Sequence, residues 1–228
     1  MQKEILKTLD QIEAQNNVKI LYACESESRA WGSPSPDSDY DVRYLYIRPV
    51  ESYLKLFPER DVIEGPIDEV KDFVGWDLQK ALKLLMKGNA PLIEWVRSPI
   101  VYKDNPWLRE NLVKLFNEHS DFNALYRGYF GLAKNNFKAY LTGESVKPKK
   151  YLHVLRSVLA CEWIKQKKTI PPVLFKEVYE GILVPGTPFY AEFQELLKIK
   201  AEEKERTTGD HFVAVDKFID EFFNESKG

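Results

Sequence analysis

The apolar positions in the first hundred residues follow both helical and strand periodicities. Residues 3–14 show helical spacing, and an unbroken apolar run over 18–24 indicates a buried strand. A second strand is predicted over 39–48, and strand-like alternation over 61–75 is interrupted by a turn at residues 65 and 66. Short helices are predicted over 50–57, 76–87 and 91–96.

After about residue 105, the strand patterns largely disappear and helical spacing repeats. The predicted helices cover 106–117, 121–142, 149–166, 172–180, 187–204 and 210–224. Strands that come first and helices that follow favour an α+β fold over repeated βαβ units. We therefore predict a mixed β-sheet with flanking helices over residues 1–105, followed by an all-helical C-terminal bundle over residues 106–228.

Composition and charge argue against several classes of protein. Hydrophobic residues make up 44% and aromatic residues 13% of the chain, as in a globular protein. A net charge of −2 gives no signal for DNA, although a local basic face for RNA is compatible with it. Cys24 and Cys161 are far apart, which argues against a disulfide framework or a zinc site. Without an apolar leader or a membrane-spanning stretch, we expect a cytoplasmic protein with no membrane partner.

The candidate chemistry lies at the start of the second strand, where Asp39 and Asp41 follow a Pro/Ser loop. Alternate residues of a strand share a face, with Cα atoms about 6–7 Å apart. Such a pair suits Mg²⁺, which is usually bound by one or two carboxylates plus substrate phosphates. A calcium loop would need Gly and Glu where this chain has Val42 and Arg48. A plain polar strand edge is less favoured, because Asp is uncommon in strands.

The motifs around this pair carry a family resemblance. A hydroxyl-bearing turn, a loop of about ten residues and Asp-x-Asp on a strand resemble the nucleotidyltransferase superfamily of the polymerase-β type. The string Glu-Ser-x-Ser-Arg-Ala-Trp-Gly at 25–32, with Pro-Ser-Pro-Asp-Ser-Asp-Tyr-Asp-Val-Arg at 34–43, resembles more specifically the YcgL/RlaP type of predicted nucleotidyltransferases. RlaP stands for RNA-ligase-associated protein. The resemblance continues through 75–82 and 89–99 and, more loosely, through 149–156.

This resemblance implies a nucleotidyltransferase-like fold whose helical second domain closes the cleft. It also implies transfer of an NMP from an NTP, such as ATP, to an acceptor, with release of pyrophosphate and with Mg²⁺ or Mn²⁺ as cofactor. Asp39 and Asp41 would be catalytic metal ligands, and Ser28 would contact a phosphate together with nearby backbone N–H groups. The acceptor stays open between an RNA end, which the RNA-ligase association suggests, and a protein hydroxyl.

Members of the superfamily usually add a third carboxylate from a neighbouring strand. Asp72 is the preferred candidate for this third catalytic and metal-binding residue, although an ordinary exposed strand residue is about equally compatible with its position. Asp68, on the same predicted face, and Glu94, on a predicted helix, are the alternatives.

Four basic residues are candidates for further contacts. Arg29 is a candidate nucleotide contact, because a guanidinium can bind phosphate oxygens bidentately. Arg43 shares the face of Asp39 and Asp41 by alternation and is expected to pair with a carboxylate. In the helical half, Lys150 and Arg156 lie at family-like positions and are candidate nucleotide contacts, with a solvated basic face as the alternative.

Glu27 departs from the family pattern, which has Gly directly before the serine. Gly permits a positive φ and a close approach of the backbone to a phosphate. Glu also adds negative charge beside the expected triphosphate. Two hypotheses follow: an active enzyme in which the backbone still makes the turn, or a catalytically weakened copy that binds nucleotide, RNA or a partner protein.

Overall fold

The chain forms two compact units in the computed structural model, which describes residues 1–36, 38–65, 70–119, 121–142, 146–202 and 212–225. The sheet unit comprises Met1–Trp31 and Asp37–Ala124. The helical unit comprises Gly32–Pro36 and Leu125–Gly228.

The sheet unit contains five strands and six helices among the described residues. In chain order they are α1 (Gln2–Asn16), β1 (Lys19–Glu25), α2 (Glu27–Ala30), β2 (Tyr40–Ile47), α3 (Val50–Tyr53), β3 (Val62–Glu64), β4 (Lys71–Asp77), α4 (Leu78–Met86), α5 (Ala90–Val96), β5 (Val101–Lys103) and α6 (Pro106–His119). The predicted domain boundary near residue 105 falls just before α6.

The five strands form one mixed sheet in the order β3-β4-β2-β1-β5. β1 is antiparallel to both β2 and β5, β3 is antiparallel to β4, and β2 and β4 are parallel. The interior position of β1 explains its apolar run, because both of its edges are paired. The parallel pair brings the beginnings of β2 and β4 to the same edge of the sheet.

One face of this sheet is covered by α1. Ile5, Leu9 and Ile12 of α1 are at most 2% exposed and belong to the same apolar cluster as Val42 and Tyr44 of β2. Full burial of each such aliphatic side chain contributes about 1.5–3 kcal/mol. Since strand side chains alternate, Asp41 and Arg43 must point to the opposite face. The packing of α1 therefore decides which face of β2 is left for polar chemistry.

The helical unit is built around one long helix. α7 (Phe122–Tyr140), α8 (Pro148–Lys167), α9 (Phe175–Ile182), α10 (Pro188–Ala201) and α11 (Val213–Glu225) follow in chain order. α8 is buried over most of its length and packs against α9, α10 and α11. A helix that is buried on all sides is a core helix, which fits this arrangement.

The predicted α+β class, with a mixed sheet followed by helices, is confirmed. Two details of the prediction are wrong. Residues 76 and 77 complete β4 instead of opening the next helix, and the three-residue strand β5 was not predicted. None of the helices in the described ranges combines the length and apolar character needed to cross a bilayer.

Candidate functional site

Two of the predicted acidic residues face each other across the parallel strands. Asp41 of β2 lies opposite Asp72 of β4 in the strand register, and paired residues of neighbouring strands point to the same face. Asp39 lies one residue before β2 begins and is exposed. The pairing of β2 with β4 therefore joins carboxylates that are 31 positions apart in sequence.

An arginine bridges these two carboxylates. Arg43 Nη2 lies 3.1 Å from Asp41 Oδ1 and 3.0 Å from Asp72 Oδ2, and Nη1 donates to the Asp72 carbonyl at 3.2 Å. The side chains of Arg43 and Asp41 are only 13% and 19% exposed, whereas that of Asp72 is 36% exposed. The predicted pairing of Arg43 with a carboxylate is confirmed. Its guanidinium occupies the space between the two acidic groups.

The charges at this edge are only partly balanced. Burial raises the pKa of Asp41, the Arg43 guanidinium lowers it, and the carboxylates of Asp72 and Asp39 raise it again. The net effect is a raised pKa, because burial is the largest of these influences and the neighbouring carboxylates add to it. Additional positive charge at this position would stabilise the ionised form of Asp41.

The donor set fits a hard divalent cation in its chemistry. Two adjacent carboxylates suffice for Mg²⁺ when substrate phosphates complete the coordination, and Asp41 and Asp72 are the residues that would hold it. In the parts of the chain that the structure describes, no group of three or more His, Cys, Asp or Glu side chains converges on one point. Binding of a cation between Asp41 and Asp72 would require the Arg43 guanidinium to move.

The turn after β1 has the backbone shape that a glycine would supply. Glu27 opens the single turn of α2 with a φ of 52°, in the left-handed region. For a residue with a Cβ atom this conformation costs on the order of 1–2 kcal/mol. Ser28 follows it and is partly exposed. The backbone turn is therefore kept although the glycine is absent, and what remains of the departure is this conformational cost and the carboxylate of Glu27.

Arg29 ties this turn to the segment that enters β2. Its Nε donates to the Asp39 carbonyl at 3.0 Å and its Nη2 to the Ser38 carbonyl at 2.6 Å. The guanidinium also lies 3.7 Å above the ring of Tyr40, a cation–π contact. These bonds fix the entry into β2 beside Asp41. The role of Arg29 as a nucleotide contact stays a prediction.

The two alternatives for the third carboxylate have different outcomes. Asp68 lies outside the described residues. Glu94, on α5, accepts a hydrogen bond from Trp31 Nε1 at 2.9 Å, so it anchors the tryptophan that follows α2. Asp72 is thus the alternative that the strand register places beside Asp41.

Lys150, one of the two candidates in the helical unit, lies near the beginning of α8. Lys150 Nζ lies 4.0 Å from the ring centroid of Tyr140. Burial, together with the charges of Lys200, Lys150 and Lys149, lowers the pKa of His153 to about 4. Lys149 and Lys150 of α8 and Lys200 of α10 thus all act on His153, and such a group of cations is compatible with an anionic ligand.

Arg156 lies in the core of the helical unit. It is 1% exposed, and its Nη2 donates to the carbonyls of Pro172 and Val173 at 2.9 and 3.4 Å. These bonds secure the segment that leads into α9. A nucleotide contact by Arg156 stays a prediction, and it would require these bonds to be exchanged.

Glu25 is the residue of this region to which the sequence analysis gave no role. It ends β1 with a fully buried carboxylate, which accepts hydrogen bonds from the Asp41 N–H at 2.6 Å and from the Tyr102 hydroxyl. The available signal was a charged residue that closes an apolar strand. That signal identifies an unusual position but not its partners, which lie 16 and 77 residues away.

Comparison with known proteins agrees with this description. The family model of RlaP, the RNA repair pathway DNA polymerase beta family, matches residues 1–228. The uncharacterized protein YcgL of Bacillus subtilis (strain 168) is 44% identical over 220 residues, covering 96% of this chain and 84% of that protein.

Among solved structures, the chain is similar to a nucleotidyltransferase-like protein from Exiguobacterium sibiricum 255-15. The two share 12% identity and a TM-score of 0.34, over 95% of this chain and 75% of that one. This likeness is distant, and the assignment does not depend on it. The family match over the whole chain and the 44% identical relative carry it: the chain belongs to the RNA repair pathway DNA polymerase beta family.

Proposed function

We propose that this protein is a metal-dependent nucleotidyltransferase that moves an NMP from an NTP to an RNA end and releases pyrophosphate. The observation that carries the proposal is the register of β2 and β4, which sets Asp41 beside Asp72 at one edge of the sheet. Membership of a polymerase-β-type family supports the reaction class. The RNA repair description of that family favours RNA over a protein hydroxyl as the acceptor.

The acidic edge supplies the reacting geometry. Asp41 and Asp72, with Asp39 nearby, would hold Mg²⁺ or Mn²⁺, which supplies charge for the triphosphate and lowers the pKa of the attacking hydroxyl. The acceptor oxygen then forms a bond to the α-phosphorus, and the bond from that phosphorus to pyrophosphate breaks. The proton of the acceptor passes to Asp72, the more exposed carboxylate of the pair.

The α2 turn would hold the nucleotide. Its backbone has the left-handed residue at position 27 that a close approach to phosphate uses, and Ser28 presents a hydroxyl beside it. Arg29 keeps the turn against the start of β2 through the carbonyls of residues 38 and 39. The phosphate contacts and the carboxylates are thereby held at a fixed separation.

Pyrophosphate release from the four NTPs, with Mg²⁺ or Mn²⁺ and a mixed RNA oligonucleotide, tests this proposal. We expect metal-dependent release that falls at least about 100-fold in Asp41→Asn and in Asp72→Asn. Asp61→Asn is the matched control, since Asp61 is also a carboxylate of the sheet unit in an ion pair, with Lys80. Release that is unchanged in both Asp41→Asn and Asp72→Asn would overturn the catalytic assignment.

The destination of the label identifies the acceptor. With an NTP labelled at the α-phosphate, transfer to RNA predicts a labelled oligonucleotide that is one nucleotide longer. Label that stays off RNA and appears on a protein in a stable linkage would instead identify a protein hydroxyl as the acceptor.

A second candidate is a weakened copy that binds a nucleotide or RNA without efficient transfer. Two observations favour it: the carboxylate at position 27 and the guanidinium between Asp41 and Asp72. Glu27→Gly separates the two candidates, because the variant keeps the turn and removes the charge. Pyrophosphate release that appears only in Glu27→Gly would identify a degenerate enzyme, and comparable release in both proteins would exclude one.

A further inference from the structure

Glu25 uses all of its polar groups inside the sheet unit. Its carboxylate accepts from the Asp41 N–H at 2.6 Å and from the Tyr102 hydroxyl, its own N–H donates to the Ile100 carbonyl at 2.9 Å, and its carbonyl accepts from Ser98 Oγ at 2.6 Å. The residue is 0% exposed. Its carboxylate therefore has a set of defined partners and is not held by contact with solvent.

A carboxylate is a costly choice for this position. Burial raises the pKa of Glu25, although the hydrogen bonds from Tyr102 and from the Asp41 peptide lower it. An apolar side chain would close the end of β1 without that cost, as apolar side chains do at other buried positions of the strand, such as Ile20 and Ala23. At this position, only a hydrogen-bond acceptor can bind both the Asp41 N–H and the Tyr102 hydroxyl.

Hydrogen bonds hold the backbone of Asp41 on both sides of its Cα atom. Its N–H donates to the Glu25 carboxylate, and its carbonyl accepts from the Ser26 N–H at 2.9 Å. Both partners belong to the segment that leads from β1 into α2. The position of the Asp41 side chain, and hence its alignment with Asp72, is thereby fixed relative to the turn that carries Ser28.

Tyr102 extends this arrangement to the next strand. It belongs to β5, which pairs with β1 on the side opposite β2. Its hydroxyl holds the Glu25 carboxylate, so the Asp41 N–H of β2 is connected through β1 to β5. A group in such a setting acts on the chemistry through the residue that it orients.

We infer that Glu25 is a positioning residue for the Asp41–Asp72 pair and that Tyr102 supports it in that role. This inference rests on the proposed function, in which Asp41 is a metal ligand. Glu25 acts by orienting Asp41 and does not itself touch the reacting atoms.

The test compares Glu25→Ala, Glu25→Gln and Tyr102→Phe with the unsubstituted protein. For each, the Mn²⁺ dissociation constant is measured by electron paramagnetic resonance, kcat and KM by pyrophosphate release, and Tm by circular dichroism. Glu25→Ala should weaken Mn²⁺ binding and lower kcat by about 10–100-fold, with KM for the NTP changed much less. Glu25→Gln should recover most of both, because its amide oxygen still accepts from the Asp41 N–H.

Tyr53→Phe provides the matched control. Tyr53 also donates its hydroxyl to a buried carboxylate of this sheet, that of Asp77, at 2.8 Å. It should lower Tm to about the same degree as Tyr102→Phe, without changing Mn²⁺ affinity or kcat. Tyr102→Phe should lower kcat measurably, which a loss of stability alone would not do.

The outcomes separate the inference from the proposed function. An active wild-type protein whose folded Glu25→Ala variant keeps its Mn²⁺ affinity and kcat would overturn the inference alone. If Glu25→Ala does not fold, Tyr102→Phe decides: a lower kcat supports the inference, and a kcat as unchanged as that of Tyr53→Phe overturns it. A wild-type protein that neither binds Mn²⁺ nor releases pyrophosphate would overturn both.

Discussion

The two ends of the paired strands β2 and β4 both carry acidic residues, but they use them differently. At the far end, Asp77 is 4% exposed, accepts the Gln79 N–H at 2.8 Å as the N-cap of α4, and accepts the Tyr53 hydroxyl. At the near end, Asp41 and Asp72 share the Arg43 guanidinium. A carboxylate bound by a helix N-terminus serves the fold. A pair of carboxylates that shares one guanidinium is left with an excess of negative charge, which suits the binding of a further cation.

The largest effect is expected when a carboxylate is removed from each end of the paired strands. Asp41→Ala should lower pyrophosphate release at least about 100-fold, because a ligand of the reacting centre is lost. Asp77→Ala should leave kcat within about 3-fold of wild type wherever the protein is folded, because capping acts on stability. Steady-state kinetics at a temperature well below both Tm values checks this. Equal losses in the two variants would remove the distinction between the ends.

Removal of the Arg43 guanidinium, which bridges Asp41 and Asp72, should give the next largest effect. Arg43→Gln should tighten Mn²⁺ binding about 10-fold, because the cation no longer competes with a positive charge between two carboxylates. Mn²⁺ titration followed by electron paramagnetic resonance measures the affinity. Arg48→Gln is the matched control. Arg48 follows the other end of β2, its side chain is 12% exposed, and its Nη1 lies 2.8 Å from Glu59 Oε2. Weaker binding in Arg43→Gln would instead show that Arg43 helps to hold the site together.

Removal of Asp77, at the far end of β4, should change the stability of the protein. Asp77→Ala should lower the free energy of unfolding by about 0.5–2 kcal/mol, the usual cost of losing an N-cap. Asp77→Asn should recover much of this, because the amide oxygen also caps a helix. Urea denaturation measures both variants. A loss confined to activity, with unchanged stability, would contradict the assignment of Asp77 to the fold.

The pH dependence of stability gives the smallest effect. The pKa of Asp41 is raised from 3.8, so the folded state binds its proton more tightly than the unfolded state does. Its stabilising contribution is present at acidic pH and is lost as the pH rises through the raised pKa. The Tm of Asp41→Asn, relative to that of wild type, should therefore increase as the pH rises above 3.8, because the variant lacks this loss. A relative Tm that falls over the same pH range would show that the shift has the opposite sign.

Local periodicity predicted much of the sheet unit. The alternation along residues 39–48 correctly placed Asp41 and Arg43 on one face, because strand side chains have a period of two. The apolar run before it correctly indicated an interior strand. These features depend on neighbours in sequence, which is why a single sequence contains them.

The pairing of strands that are far apart in the chain could not be predicted from local sequence patterns. The register that sets Asp41 opposite Asp72 depends on how β2 and β4 pack after an intervening segment of more than twenty residues. β5 has three residues, too few for a periodic signal, although it supplies the tyrosine that holds Glu25. The helix predicted over 76–87 would put Asp77 in its first turn, whereas the role of Asp77 as the N-cap at the end of β4 depends on where the strand stops.

Nucleotidyl transfer at the acidic edge can be tested by following the two ends of the triphosphate. Wild-type protein is incubated with a mixed RNA oligonucleotide and Mg²⁺, with the NTP labelled either at the α-phosphate or at the γ-phosphate. We predict that the α-label becomes attached to RNA and the γ-label is released as pyrophosphate, both only when Mg²⁺ is present. Release of the γ-label as single orthophosphate, or transfer that persists in Asp41→Asn, would contradict nucleotidyl transfer at this acidic edge.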